Sequence, residues 1–257
     1  MQLKNFEYIK EFKLAKKLIL QATKKITLKG ANKVKVKKDK TIATNVDVEV
    51  EKYVIENVLK AFPTDTFVSE EGHDKDKMKK RSWVLDPIDG TNTFFKGYNN
   101  WGTQICFAVS GEIMFSIIYL PKEKELYYAI KNFGVYKNGK KLKTPSNTKL
   151  NHCAVEYVGK LDDDYERACF AKIFLGLIGK VLVNQYIWGC CVDFTNLASG
   201  KCDALVSSVD TPWDYIPGEF MLNELGVKIV QFNDIIKVYT FSDDIVKQLK
   251  IISGEAK

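Results

Sequence analysis

The pattern of predicted strands and helices changes near residue 150, and this change limits the folds that the chain can adopt. Apolar runs separated by short turns predict antiparallel strands at 101–109, 113–119, 125–130 and 134–136. After residue 150, short strands alternate with helices. The strands are predicted at 154–158, 181–186, 204–209 and 235–241, and the helices at 164–176, 192–198, 214–225 and 242–252. With two more helices predicted at 6–26 and 47–61, we expect an α+β protein whose closely packed halves, 1–149 and 150–257, form one compact unit.

Composition excludes several classes of function. The 257 residues are 46% hydrophobic, and no stretch approaches the roughly 20 apolar residues of a membrane span. The N-terminus enters a helical pattern without a signal peptide, which predicts a cytoplasmic protein with no membrane partner. The net charge of +7 includes a lysine-rich segment at 29–40. Because no aromatic residues are interleaved there, we expect a solvated loop and no nucleic-acid partner.

The cysteines and histidines predict no zinc site. The six cysteines form no CxxC pair, and the chain has only two histidines, His73 and His152. We therefore expect reduced, mostly buried thiols and a chemistry that depends on oxygen ligands.

One stretch combines a predicted strand with two acids and a turn. The apolar run 83–85 is followed by Asp-Pro-Ile-Asp-Gly-Thr, residues 86–91. Pro87 favours an extended conformation at Asp86, so Asp86 is expected to close the strand. Gly90 permits a sharp turn that exposes backbone amides. Two carboxylates beside free amides can hold divalent cations next to a phosphate, although Asp-Pro and Asp-Gly are also ordinary turn dipeptides.

Three further acids have both a structural and a functional interpretation. Glu70 ends the predicted strand 67–72, and if that strand neighbours the next one, Glu70 and Asp86 converge at one edge of a sheet. Asp47 completes a capping-box pattern that begins at Thr44. Asp214 fits the N-cap of a helix, or it is a ligand that the second half of the chain supplies to the same site.

These stretches together resemble a known family. Four segments, in this order along the chain, are similar to the signatures of the inositol monophosphatase family of magnesium-dependent, lithium-sensitive phosphomonoesterases: Ser69-Glu70-Glu71, the stretch from Trp83 to Thr91, the stretch from Trp213 to Gly218, and Glu224-Leu225-Gly226. The resemblance implies a layered α/β/α/β/α sandwich of the inositol monophosphatase and fructose-1,6-bisphosphatase type. It also implies a hydrolase that often forms homodimers.

The resemblance implies a ligand set for Mg²⁺. Glu70, Asp86 and the carbonyl oxygen of Ile88 would hold one ion. Asp86, Asp89 and Asp214 would hold a second ion, so that Asp86 bridges the two. A third, weaker ion near Glu70 is left open.

The resemblance also implies how the phosphate and the attacking water are held. The backbone amides of Gly90, Thr91 and Asn92 would bind the phosphate. Thr91 and Glu70 would orient the water, and Asp47 would accept a hydrogen bond from Thr91. These three side chains are the expected catalytic residues.

The chain departs from the family pattern on the side of the substrate's alcohol. Thr93 replaces an expected asparagine, Gln185 a common arginine, and Ser207 the glutamate of inositol-specific members. The family's Gly-Ser/Thr-Ala-Ala-x-Asp stretch appears here as Trp188-Gly189-Cys190-Cys191-Val192-Asp193. We expect Trp188, Gly189 and Ser207 to shape the substrate pocket, with Trp188 either narrowing it or only packing between the halves.

Three functions remain open from the sequence. The first is a Mg²⁺-dependent phosphatase for a small phosphorylated substrate such as an inositol or sugar phosphate. A phosphatase for 3′-phosphoadenosine 5′-phosphate or fructose 1,6-bisphosphate is the alternative within the same chemistry. The third, from another class, is a catalytically weak phosphate-binding regulatory protein.

Overall fold

The computed structural model describes residues 5–29, 34–36, 42–74, 76–159, 161, 163–187 and 189–254, and it confirms the α+β class. The helices are α1 (Ile9–Lys29), α2 (Asn45–Ala61), α3 (Thr91–Phe95), α4 (Asp164–Leu177), α5 (Cys190–Ser199), α6 (Pro212–Glu224) and α7 (Asp243–Ser253). The strands are β1 (Val34–Val36), β2 (Ile42–Thr44), β3 (Thr66–Ser69), β4 (Arg81–Asp89), β5 (Gly102–Val109), β6 (Glu112–Leu120), β7 (Glu125–Ile130), β8 (Gly134–Lys137), β9 (Lys140–Lys141), β10 (Ala154–Val158), β11 (Val183–Tyr186), β12 (Ala204–Ser207), β13 (Lys228–Gln231) and β14 (Lys237–Thr240).

Two sheets carry most of these strands. The first has the order β3-β4-β5-β6-β7-β8-β9, in which only the β3–β4 pair is parallel. The second has the order β11-β10-β12-β14-β13. In it, β10 is parallel to both of its neighbours, and β14 is antiparallel to its own. The β1–β2 pair is a small antiparallel sheet apart from these two.

The helices form three layers around the two sheets. Helices α1 and α2 cover the outer face of the first sheet, α5 and α6 lie between the sheets, and α4 and α7 pack together beside the second sheet. The order α/β/α/β/α is therefore the expected one. Under the outer layer, Trp83 is fully buried, with its ring centroid 4.6 Å from that of Phe107. Burial of each such large side chain stabilises the fold by about 1.5–3 kcal/mol.

Strand β4 is longer than the sequence predicts. Asp86 does not close it, because the strand continues to Asp89 with a shift of register against β5 between these two acids. Pro87 has no amide hydrogen and cannot donate a hydrogen bond to a neighbouring strand. At the shift of register, β5 requires no such bond from residue 87. The hydroxyl of Thr103 donates to the carbonyl oxygen of Pro87 over 2.8 Å. The irregularity therefore places both carboxylates at the end of a single strand.

Other elements differ from the prediction in smaller ways. Helix α6 begins at Pro212, with Thr211 as its N-cap, so Asp214 lies inside the first turn instead of capping it. Strand β13 was not predicted, because its mostly exposed side chains give no apolar run. Strand β1 falls in the lysine-rich segment 29–40 that was expected to be a loop, and β2 follows that segment. Among the described residues, no helix combines the length and the apolar character needed to cross a bilayer.

Candidate active site

Four carboxylates meet where two strands of the first sheet end and helix α6 begins. Strands β3 and β4 are parallel neighbours with Ser69 opposite Leu85, so Glu70 follows directly beside Asp86. Asp89 is the last residue of β4. Asp214 comes from the first turn of α6, which packs across β4 and β5. Two sequence-distant halves of the chain thus supply acids to one place.

Asp86 lies at the centre of these four acids. Its side chain is buried, and in the part of the chain that the structure describes, neither carboxylate oxygen has a hydrogen-bond partner. Burial, followed by the charges of Glu70, Asp89 and Asp214, holds the pKa of Asp86 well above its usual range. A buried carboxylate without donors stays ionised at low cost only when a cation lies beside it, and otherwise it takes up a proton. The four acids supply only oxygen donors, which fits Mg²⁺.

Asp89 is held by two hydrogen-bond donors that the sequence did not predict. The side-chain amide of Gln104 donates to Asp89 Oδ2 over 3.3 Å and to the carbonyl oxygen of Asp214 over 3.2 Å. The backbone amide of Cys191, in the first turn of α5, also donates to Asp89 Oδ2. Burial and the charge of Asp214 raise the pKa of Asp89 to about 7, although the bonds from Cys191 oppose the rise. The only available sequence signal was a polar glutamine in an otherwise apolar strand.

Asp47 uses its two carboxylate oxygens for two different contacts. Oδ2 accepts from the backbone amide of Thr44 over 2.9 Å and so completes the capping box of α2. Oδ1 lies 3.0 Å from the hydroxyl oxygen of Thr91, which is also 2.8 Å from the carbonyl oxygen of Ile88. Burial raises the pKa of Asp47, and the hydrogen bonds from Thr44 and Thr91 act against that rise. The structural and functional interpretations of Asp47 are therefore compatible.

The turn after β4 requires glycine at position 90. Gly90 has φ 84°, and a Cβ there would lie 2.7 Å from the carbonyl oxygen of Asn100. The hydroxyl of Thr93 lies 2.7 Å from the carbonyl oxygen of Gly90 and also bonds to that of Asn100. Thr93, which stands where the family pattern has asparagine, closes this turn. Thr91 and Asn92, at the start of α3, present amides that have no acceptor within the helix.

The family model for the inositol monophosphatase family matches residues 5–251. The chain belongs to the inositol monophosphatase family. It is 29% identical over 219 residues to an inositol-1-monophosphatase of Bacillus subtilis, covering 83% of this chain and 82% of the relative. It is 26% identical over 218 residues to a fructose-1,6-bisphosphatase/inositol-1-monophosphatase of Thermotoga maritima, covering 80% of each. The Nus factor SuhB of Escherichia coli is 25% identical over 198 residues, covering 74% and 71%.

Solved structures of inositol monophosphatases (IMPases) share the fold. One from Thermotoga maritima has a TM-score of 0.82 and 21% identity, covering 95% of this chain and 98% of that one. An IMPase/NADP phosphatase complexed with NADP and Ca²⁺ has a TM-score of 0.79 and 21% identity, covering 98% and 96%. A staphylococcal inositol monophosphatase in an inhibitory complex with LiCl has a TM-score of 0.79 and 20% identity, covering 96% and 95%. At these identities the likeness establishes the fold alone.

Of the three pocket residues that the family pattern predicts, the structure describes Gly189 and Ser207, and neither is among the residues that line the cavity between α3 and β11. Trp188 falls outside the described residues. Gly189 is the N-cap of α5, and a Cβ on it would lie 2.9 Å from the carbonyl oxygen of Asn100. Ser207 is a buried residue at the end of β12 whose hydroxyl accepts from the amide of Val209 over 3.2 Å. Their part in substrate binding stays a prediction.

A cavity of about 570 Å³ lies between α3 and the end of β11. Asn92, Lys96 and Tyr98 line one side, and residues 185–187 line the other. The side-chain amide of Asn100 donates to the carbonyl oxygen of Ile187 over 3.0 Å and so joins the two sides. The cavity thus begins at the predicted phosphate-binding amides. Neither Lys96 nor Tyr98 was predicted from the sequence to lie at the site.

A second group of buried acids lies between α5, which carries Asp193, and β10, which carries Glu156. Glu156 and Asp193 are both buried and adjacent. The side-chain amide of Asn196 donates to both carboxylate oxygens of Glu156 over 3.2 Å, and that of Gln185 reaches one of them over 3.4 Å. Burial raises the pKa of both acids. For Asp193 the charge of Glu156 adds to the rise in pKa, so ionisation of one acid opposes ionisation of the other.

Proposed function

We propose that the chain hydrolyses a small phosphate monoester in a Mg²⁺-dependent reaction. The observation that carries the proposal is the buried carboxylate of Asp86, which has no hydrogen-bond donor among the described residues and lies within the charges of three more acids. Family membership makes this arrangement a candidate hydrolytic site. Two positions for Mg²⁺ fit the donor set, with Glu70, Asp86 and the Ile88 carbonyl at one, and Asp86, Asp89 and Asp214 at the other.

Bound Mg²⁺ would lower the pKa of water and neutralise charge on the departing oxygen. The protein's own groups then have to hold the two reacting partners in place. The Thr91 hydroxyl has one hydrogen, which it can donate to Asp47 or to the carbonyl oxygen of Ile88. The lone pairs of the hydroxyl oxygen then remain available to accept a hydrogen bond. A water that donates to Thr91 and to Glu70 would be oriented for attack. Asp47 fixes the rotation of that hydroxyl.

The phosphate would be bound at the turn that follows β4. The positive φ of Gly90 and the hydroxyl contacts of Thr93 hold this turn in one conformation. The amides of Gly90, Thr91 and Asn92 are the groups that would donate to the phosphate oxygens. Since these donors are fixed by the backbone, they need no rearrangement as charge develops on the phosphate.

The cavity beside Asn92 supports a substrate larger than the phosphate itself. Inositol and sugar phosphates are the favoured class. Lys96 lies about one helical turn beyond Asn92, and its amide bonds back to the carbonyl oxygen of Asn92. A cation at that distance would suit a second anionic group, which makes fructose 1,6-bisphosphate and 3′-phosphoadenosine 5′-phosphate the alternatives. Relatives named for fructose-1,6-bisphosphate and NADP fit this alternative.

A regulatory protein that only binds phosphate is the second candidate function. The match to Nus factor SuhB gives this candidate a basis, because that relative is named for a role other than hydrolysis. A protein that only binds phosphate has no need to position an attacking water. The contact between Thr91 and Asp47 therefore favours the enzyme.

A substrate panel tests the proposed function. We expect phosphate release from at least one inositol, sugar or nucleotide monophosphate that requires Mg²⁺ and is inhibited by Li⁺. Lys96→Met should reduce kcat/KM for bisphosphates by roughly tenfold, which corresponds to about 1.4 kcal/mol, and should leave monophosphates unchanged. Lys122→Met, an exposed lysine in the β6–β7 turn, is the matched control. No release from any ester with Mg²⁺ present would leave the regulatory candidate standing.

A further inference from the structure

A thiol lies beside the two acids of the second proposed Mg²⁺ position. Asp89, Cys190 and Asp214 each offer one ligand atom, and these three atoms lie within 4.8 Å of one another. Cys190 is the first residue of α5 and is only 8% exposed. The family stretch that matches this segment has alanine at the same position. The sulfur is therefore a property of this chain and not part of the family's pattern.

An independent observation indicates that this place is suited to a cation. Asp86 is 1% exposed, has no hydrogen-bond partner among the described residues, and lies close enough to Asp214 for the charge of each to act on the other. The amide of Gln104 fixes Asp89 relative to the backbone of Asp214. The two carboxylates that flank the sulfur are thus held in position by the fold.

We propose that Cys190 Sγ, Asp89 and Asp214 together form a site for a thiophilic divalent cation, of which Zn²⁺ is the reference. The inference shares two carboxylates with the proposed Mg²⁺ position but does not depend on hydrolysis. One thiolate, two carboxylates and one water make the tetrahedral set that Zn²⁺ prefers. On binding, the thiol gives its proton to water and the ion loses one of its waters. Mg²⁺ selects oxygen ligands, so the sulfur does not raise the affinity for Mg²⁺.

The consequence is a site with two different occupants. Mg²⁺ would use Asp89 and Asp214 and leave the thiol protonated. Zn²⁺ would bind the same two acids and also the sulfur. It would therefore displace Mg²⁺ at a lower Zn²⁺ concentration than at a site with oxygen ligands alone. Spacing along the chain could not reveal this site, because its three ligands come from β4, α5 and α6.

Equilibrium binding with Cys190→Ala tests the inference without any substrate. Changes outside the direct ligands commonly reduce metal affinity by about 10–100-fold, so loss of the sulfur should weaken Zn²⁺ binding at least about tenfold. The affinity for Mg²⁺ should change by less than about threefold, because Mg²⁺ makes no bond to the thiol. Cys169→Ser, on α4 and away from the site, is the control and should bind Zn²⁺ like the wild type. Equal Zn²⁺ affinity in wild type and Cys190→Ala would overturn the inference.

Cobalt gives a direct view of the sulfur. With Co²⁺ in place of Zn²⁺, the wild type should show a sulfur-to-metal charge-transfer band in the near ultraviolet, and Cys190→Ala should lack it. A band that persists in Cys190→Ala would assign the ligand elsewhere and refute the proposal. If the variant does not fold, protection of Cys190 from alkylation by Zn²⁺, read by peptide mass spectrometry on the wild type, decides the same question. Failure of hydrolysis with these signals intact would count against the proposed function alone.

Discussion

The two groups of acids near α5 differ in what surrounds their charge. In the pair of Glu156 and Asp193, the side-chain amides of Asn196 and Gln185 donate to Glu156. Asp86 instead lies within the charges of three further acids. Neither Asp86 nor Asp193 has a hydrogen-bond donor among the described residues, so a buried carboxylate without a donor does not by itself indicate a cation site. The distinguishing feature is the number of acids that converge on one buried carboxylate.

The largest expected difference between the groups is in activity. Asp86→Asn should reduce phosphate release at least about a thousandfold, since losing one preorganised electrostatic contact already costs about 10²–10³ in rate. Asp193→Asn is the matched change in the other group and should reduce it by less than about tenfold. Both are measured as kcat on the best ester of the panel. Similar losses in the two variants would show that the two groups of acids do not differ in their contribution to activity.

The next expected difference is in stabilisation by Mg²⁺. At 100 times its Kd, a ligand stabilises the folded state by about 2.7 kcal/mol. Wild type and Asp193→Asn should both show a rise in Tm with Mg²⁺. Asp86→Asn should show none, because Asp86 is the acid that both proposed positions share. Thermal unfolding with and without Mg²⁺ measures this, and a full response in Asp86→Asn would place the ions elsewhere.

The rise in Tm on binding Mg²⁺ should also depend on pH. Without a cation, Asp89 has a pKa of about 7, raised by burial and by Asp214, and Asp86 is raised as well. Protons held at low pH compete with Mg²⁺, so the rise in Tm should be small at pH 5 and larger at pH 8. The metal-free protein should change in the opposite sense. The contribution of these acids to the free energy of unfolding is fully present at low pH, and it is lost as the pH rises through their pKa values in the folded state. A Mg²⁺ response that is constant with pH would contradict the raised pKa of Asp89.

The smallest expected effect concerns Glu156 and Asp193, the pair between β10 and α5. Because burial raises the pKa of Glu156 and Asp193, their contribution to stability is present below the ordinary carboxyl range and declines as the pH rises above it. Asp193→Asn should flatten this decline by about 1 kcal/mol, which is the scale of one pKa unit. Unfolding measured from pH 5 to pH 8 with saturating Mg²⁺ isolates the pair, since bound Mg²⁺ suppresses the response of the other group. An unchanged pH profile would contradict the raised pKa of Asp193.

The sequence predicted the parts of the site that depend on local geometry. Asp86, Asp89 and Gly90 lie within five residues of one another, and their types and order already specify a strand, two acids and a turn. Glu70 needed one further condition, that its strand neighbour the next, and the parallel β3–β4 pair meets it. The family, the α+β class and the layered architecture were predicted and are confirmed.

Contacts between distant segments were not predictable in this way. Gln104 lies 110 residues from Asp214, and the amide of Cys191 lies 102 residues from Asp89. Only the packing of α5 and α6 across the first sheet brings these groups together. The end of β4 was misjudged for a related reason. A proline ends a strand only where the neighbouring strand requires a backbone N–H at that position. Whether β5 requires one at residue 87 depends on the register of β4 against β5.

Asp47 joins the first turn of α2 to Thr91, the residue proposed to orient the attacking water. One oxygen of this carboxylate holds the helix end closed, and the other sets the direction of the Thr91 hydroxyl. Any fraying of that turn therefore also releases the hydroxyl. Warming or mild denaturant should then reduce the proposed hydrolytic activity before the hydrophobic core unfolds, because the end of α2 opens first.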